Sequence, residues 1–150
     1  MTKISIGCDH GAYILKNRIA EYLRKNGYDV KDHGTFGPES VNYPVYAEKV
    51  CRDVTGGASD LGILLCTTGI GMSIAANKFD GIRAALCGNE YQAHMTRLHN
   101  DANVLVLGAS VVGEGLAKRI VDEFLATDFM GEHHTARVAM IENIEKTGHV

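Results

Sequence analysis

The chain has 150 residues, 45% hydrophobic and 22% charged, the balance of one globular domain with a core of its own. Its 15 basic and 18 acidic residues give a formal charge of −3 with no basic run, so nucleic acid and anionic membranes are not expected partners. No apolar run approaches the ~20 residues that span a bilayer, and Asp9-His10 interrupts the N-terminus too early for a signal peptide; a soluble cytoplasmic protein is expected.

Ile4–Gly7 predicts a buried first strand. Ile14, Leu15, Ile19, Tyr22 and Leu23 then recur at helical spacing, and Asn26-Gly27 stops the helix. Tyr28–Val30 begins a second strand. The stretch from Gly34 to Pro44 holds both prolines and reads as a loop, followed by a helix marked by Tyr46, Ala47, Val50, Cys51 and Val54 and closed by Gly56-Gly57. Leu61–Cys66 is almost wholly apolar, as a central strand covered on both faces must be. A glycine turn and a helix to about Lys78 come next, then a strand over Ile82–Cys87, a helix from Glu90 to about His99, and a fifth strand over Val104–Leu107. A helix from about Gly113 to Thr127 and a last one over Thr135–Lys146 complete the chain.

Five strand–helix units in series predict a three-layer α/β/α sandwich on a five-stranded parallel sheet, Rossmann-like, forming a single domain over residues 1–150. The strand order is not legible from the pattern. The extra C-terminal helix carries Val138, Ile141 and Ile144 yet has little room on its own domain, which suits a contact between subunits.

Open parallel sheets bind ligands beyond the carboxyl ends of their strands, which singles out Gly7-Cys8-Asp9-His10-Gly11 and Cys66-Thr67-Thr68-Gly69-Ile70-Gly71. His99-Asn100-Asp101 is equally polar but precedes its strand, so it is either structural or directed at a neighbouring subunit's crevice. The glycine turn lacks the spacing of a dinucleotide fingerprint, Ile74 standing where the third glycine belongs, and no P-loop is present. Such a turn aims backbone N–H groups at one point and suits a phosphate or a developing oxyanion. Cys66, just before it, is either a buried strand-end cysteine or a thiolate base able to take a proton α to a carbonyl. Cys8, Cys51 and Cys87 read as small buried hydrophobes, and no cysteine spacing suggests a disulfide scaffold or a zinc site. His10 and His99 are each either ordinary histidines or catalysts, with Asp9 beside His10 favouring a role there. His133-His134 are neighbours on a helix and diverge by about 100°, poor geometry for joint chelation.

Together, Gly7-Cys8-Asp9-His10, Asn42-Tyr43-Pro44, the block from Cys66 to Lys78, Gly81-Ile82-Arg83-Ala84 and His99–Val104 resemble the type B ribose-5-phosphate isomerases, whose family also holds allose-6-phosphate isomerase and the galactose-6-phosphate isomerase subunits. The resemblance runs almost end to end. It implies an aldose–ketose isomerase without metal or other cofactor, acting on a small sugar phosphate through a cis-enediolate. Cys66 matches the family's base; some members use a glutamate nine residues on, but Ala75 stands there. By the same resemblance the turn from Thr67 through Gly69 to Gly71 holds the enediolate, with Thr68 and Ser73 beside it. His99 matches the residue that assists ring opening and Asn100 a hydroxyl contact, both reaching the site from the partner of a homodimer or homotetramer. Asp9 and Tyr43 match substrate contacts, and His10, His133 and Arg137 fall in the phosphate pocket. Two of that pocket's usual three arginines are replaced, by Ser110 and His133, which leaves another sugar or sugar phosphate, such as allose 6-phosphate, as the alternative substrate. Thr67 replaces a frequent glycine and Asn42 a frequent aspartate.

Overall fold

The computed structural model describes residues 1–150. Strands β1 (Lys3–Cys8), β2 (Asp29–Asp32), β3 (Leu61–Cys66), β4 (Ala84–Leu86) and β5 (Val104–Gly108) alternate with helices α1 (Tyr13–Lys25), α2 (Tyr43–Thr55), α3 (Ile70–Ala76), α4 (Glu90–Asn100) and α5 (Glu114–Ala126), and α6 (His133–Thr147) follows. The strands form one parallel sheet in the order β2-β1-β3-β5-β4. The three-layer arrangement is the expected one; the order, with β5 inserted between β3 and β4, is new information.

The sheet separates two cores because successive residues of a strand point to opposite faces. Ile63 and Leu65 pack with Ile4, Ile6, Ile19, Leu23 and Phe124 on the side of α1 and α5. Leu64 and Cys66 pack with Val50, Met72 and Val106 on the side of α2 and α3. That division explains the unbroken apolar run of β3. Each fully buried Ile or Leu contributes roughly 1.5–3 kcal/mol, so β3 is a firm floor for whatever its carboxyl end presents.

Four boundaries differ from the sequence pattern. Helix α2 starts at Tyr43 and takes Pro44 into its first turn, where the missing N–H has no helical partner to lose. Helix α3 ends at Ala76, short of Lys78, and α6 begins at His133, ahead of Thr135. Strand β4 keeps only three residues of the expected Ile82–Cys87. Asparagine side chains take over its amides: Asn77 Oδ1 accepts the Ala84 N–H at 2.9 Å, Asn77 Nδ2 donates to Ala84 O at 2.9 Å, and Asn103 Oδ1 accepts the Arg83 N–H at 2.9 Å.

In α6 only His134 and Val138 are buried. Met140, Ile141 and Ile144 stay 52%, 47% and 47% exposed, an apolar side without a partner inside the chain. No helix is long and apolar enough to cross a membrane.

Candidate active site

The chain leaves β1 toward β2 on one side and leaves β3 toward β5 and β4 on the other, so the sheet's switch point lies between β1 and β3. Two of the segments singled out from the sequence meet there. Asp9, almost fully buried, accepts the Gly11 N–H at 3.0 Å and so bends the β1 loop over the sheet edge. The Thr67 hydroxyl lies against Gly11 where a Cβ would stand, closing that loop onto the β3 turn. The Tyr43 ring covers Gly71, its nearest atom 2.8 Å from an ideal Cβ at that position, which brings the start of α2 over the start of α3. His10 Nδ1 accepts the Val41 N–H at 3.2 Å, so a neutral His10 carries its proton on Nε2.

The turn itself is built on Gly69, whose φ of +79° is costly for a residue with a Cβ, and a Cβ there would also collide with Leu86 and the Leu107–Gly108 backbone. Its N–H donates to Cys66 Sγ at 3.1 Å, and the Ile70 N–H donates to Thr68 Oγ1 at 3.2 Å. The N–H groups of Thr68 and Gly71, like those of Thr67 and Met72, have no partner within the chain. Thr68 Oγ1 accepts and therefore keeps its own proton available. Ser73 sits half-buried one turn into α3. Gly108, at the end of β5, lets Thr68 O approach to 2.5 Å from where a Cβ would be. Beyond it, the Ala109 and Ser110 N–H groups donate to Cys66 O and Thr67 O at 2.9 and 3.0 Å. The sequence marked only Ser110 in this third wall; a glycine ending a central strand was the available signal.

The four thiols divide by hydrogen-bond role. Cys8 Sγ donates to Thr35 O at 3.6 Å and Cys51 Sγ to Ala76 O at 4.0 Å, whereas Cys66 Sγ accepts an N–H, the contact that favours negative charge on sulfur. Burial pushes Cys8 and Cys51 up to about 12 and Cys87 up to about 11, which makes all three inert as nucleophiles or bases.

His99, Asn100, His133 and Arg137 form a second group. Val104 pairs with Gly62, four residues before Cys66, so the segment preceding β5 lies at least ~13 Å along the sheet from the Cys66 turn. Asn100 faces a cleft of about 400 Å³ shared with Arg83, Thr96, Ile141 and Glu145, which no residue of the Thr67–Gly71 turn borders. The His99 and His134 rings stack at 4.1 Å and 14°, and the His133 ring lies 4.1 Å from that of His134. The adjacent His133 and His134 rings thus do come together, tilted at 38° to each other. Burial, then repulsion from His99, His133 and Arg137, holds His134 below the ordinary histidine range. With Arg137 one helical turn beyond His133, the cluster offers charge to an anion. The chain thus carries two polar groups at opposite ends of its sheet.

The Ribose/Galactose Isomerase family model matches residues 4–141. Ribose-5-phosphate isomerase B of Escherichia coli (strain K12) is 50% identical over 146 residues, which cover 97% of this chain and 98% of that protein. The structure of ribose-5-phosphate isomerase B from Clostridium thermocellum has a TM-score of 0.97 at 54% identity and covers 98% of this chain and 99% of its own. A ribose 5-phosphate isomerase from Thermotoga maritima has a TM-score of 0.93 at 49% identity, over 95% and 98% of the two chains. Since the family match runs from β1 through both polar groups and into α6, this chain belongs to the ribose/galactose isomerase family.

Proposed function

We propose that the chain interconverts ribose 5-phosphate and ribulose 5-phosphate through a cis-enediolate, with Cys66 as the base. The observation that carries this reading is a sulfur held as an acceptor by the Gly69 N–H, beside two N–H groups with no partner in the chain. On the open-chain aldose the Cys66 thiolate takes the proton from C2. The C2–H electron pair becomes the C1–C2 double bond, and the carbonyl pair moves onto O1. The Thr68 and Gly71 amides hold the charged oxygen, a contact whose loss costs ~2.7–4 kcal/mol in comparable sites. Thr68, with Ser73 nearby, passes the O2 proton toward O1, and the Cys66 thiol returns its proton to C1 to leave the ketose. The step consumes no other reactant.

Asp9 and Tyr43 contact the sugar from the same chain. His99 opens the ring and Asn100 holds a hydroxyl from a second copy, so two chains complete two sites. The span between the half-sites and the uncovered apolar side of α6 support a homodimer, or a tetramer of two such dimers. His10 of the first chain, with His133 and Arg137 of the second copy, holds the phosphate. Ser110 and His133, in place of two charge-assisted donors, favour a second reading in which the sugar is different, such as allose 6-phosphate.

Isomerisation of ribose 5-phosphate, allose 6-phosphate, ribose and allose, with Cys66→Ala as control, tests both readings. Cys66-dependent turnover of ribose 5-phosphate is expected. Turnover of another sugar alone refutes the first reading and supports the second; residual turnover by Cys66→Ala refutes the cysteine base. Mixed dimers of Cys66→Ala and His99→Ala should regain activity in the one intact site, and no recovery refutes the shared arrangement.

A further inference from the structure

The Gly81-Ile82-Arg83-Ala84 motif contacts neither the sulfur nor the turn, and nothing above assigns it a task. Arg83 is 17% exposed, and its guanidinium is occupied along one edge. Its Nε donates to Asn100 O at 3.0 Å and to Asp101 O at 3.1 Å, and Nη2 donates to Asp101 O at 2.9 Å and to Asp101 Oδ2 at 3.2 Å. Nη1 reaches Glu142 Oε1 on α6 at 3.4 Å.

These contacts fall where the backbone most needs holding. The last carbonyls of α4 have no helical partners and carry the negative end of the helix dipole, so a planar cation is a fitting cap. Asp101 ends the helix at φ 47° and ψ 44°, a left-handed conformation that a non-glycine residue keeps only under constraint. Its carboxylate is gripped from both sides, Oδ2 by Arg83 and Oδ1 by Arg97 at 3.0 Å, and Arg97 also donates to Ala102 O at 2.6 Å. The base of the clamp is itself fixed: Asn103 accepts the Arg83 N–H and donates to Gly81 O at 2.8 Å, and Glu145 of α6 accepts the Gly81 N–H at 3.0 Å. Helix α6 therefore meets this corner twice, through Glu142 and Glu145 here and through the His134 ring stacked on His99.

We infer that Arg83 is a positioning residue that sets the aim of His99 and Asn100 by capping α4 and holding Asp101 in its left-handed turn. The inference rests on the reading that His99 and Asn100 serve a sugar in the partner's crevice. A lysine cannot replace the fork, because a single ammonium cannot span two carbonyls and a carboxylate along one edge and reach Glu142 from the far side.

Arg83→Lys, His99→Ala and the double variant, made in the full-length chain, test it. Arg83→Lys is expected to lower kcat on ribose 5-phosphate by about 10²-fold, the effect of a misplacement near 1 Å, and by less than about threefold once His99 is already alanine. A loss of the same factor in both backgrounds overturns the inference. The imidazole NMR signals of His99, assigned by comparison with His99→Ala, are expected to move in Arg83→Lys while Cys66-turn amides stay in place; unmoved His99 signals also overturn it. This second readout needs no turnover, so a chain inactive on every sugar refutes the functional reading without deciding the clamp. Should Arg83→Lys not fold, Asp101→Asn keeps a residue tolerant of the left-handed turn while weakening both arginine contacts, and the same coupling to His99 is required of it.

Discussion

Replacing Gly108 with alanine tests whether the Cys66 turn is as rigid as its contacts imply. An ideal Cβ at 108 would stand 2.5 Å from Thr68 O, 2.6 Å from Thr68 C and 3.1 Å from Thr68 Cα. Carbon atoms prefer about 3.5 Å or more, so the overlap with the carbonyl carbon is about 0.9 Å. All three atoms are backbone, and the turn is pinned at its start by Cys66 O and Thr67 O accepting from Ala109 and Ser110 and at its end by Gly69 O accepting from Ser73. Relief therefore requires the Thr67–Gly69 segment to move by close to 1 Å, carrying the free Thr68 N–H off target. Overpacking of this kind costs about 1–3 kcal/mol, which lowers Tm by about 2–10 °C in a chain of this size. A displacement near 1 Å in a catalytic constellation costs about 10²-fold in turnover. Steady-state formation of ribulose 5-phosphate, read beside a circular-dichroism melt, measures both. Turnover within about threefold of the parent would refute the reasoning, as would complete unfolding. Gly115→Ala is the matched control: its Cβ meets only Arg119 Nη1, at 3.9 Å, so it should keep full activity and gain about 0.5–1 kcal/mol.

Three more expectations come from the buried polar and sulfur groups. Iodoacetamide should alkylate native protein at Cys66 alone, because Cys8, Cys51 and Cys87 are buried with thiols pushed up to about 12, 12 and 11; peptide mapping that finds any of them modified first contradicts this. Lys16 is fully buried with its ammonium 2.7 Å from Asp32 Oδ2, 2.6 Å from Asn17 Oδ1 and 4.1 Å from the Phe36 ring centroid. Lys16→Met strands the Asp32 charge and should cost about 3–5 kcal/mol in urea unfolding, with much of the loss recovered in the Lys16→Met/Asp32→Asn pair. His134, depressed by burial and by its cationic neighbours, takes up its proton less readily folded than unfolded. The unfolded chain thus binds more protons just below the ordinary value of 6.5, and stability falls as pH drops through that window. Urea midpoints at about pH 7.5 and about pH 5.5 should lie closer together in His134→Gln than in the parent, and equal gaps would refute the assignment.

Local chemistry alone determined a good deal of this protein. The apolar run of β3 must be covered on both faces, periodic apolar residues must bury one side of each helix, and a glycine turn after a central strand must expose N–H groups. Parallel α/β layering, the Cys66 turn and the Asp9–His10 loop therefore follow from residue order, because each depends on neighbours within a few positions. Pro44 lies in helix rather than loop because a proline's effect depends on which helical position it occupies, and β4 is shorter than its apolar pattern because Asn77 and Asn103, both outside the strand, take over its hydrogen bonds. The tertiary structure alone decided that β5 lies between β3 and β4, and with it that Gly108 backs the Cys66 turn. It alone stacked His134 on His99 and set Arg83 under Asn100 and Asp101. Such pairings are contacts across the fold, chosen by packing and by where a buried charge finds its partners, and no spacing along the chain encodes them directly.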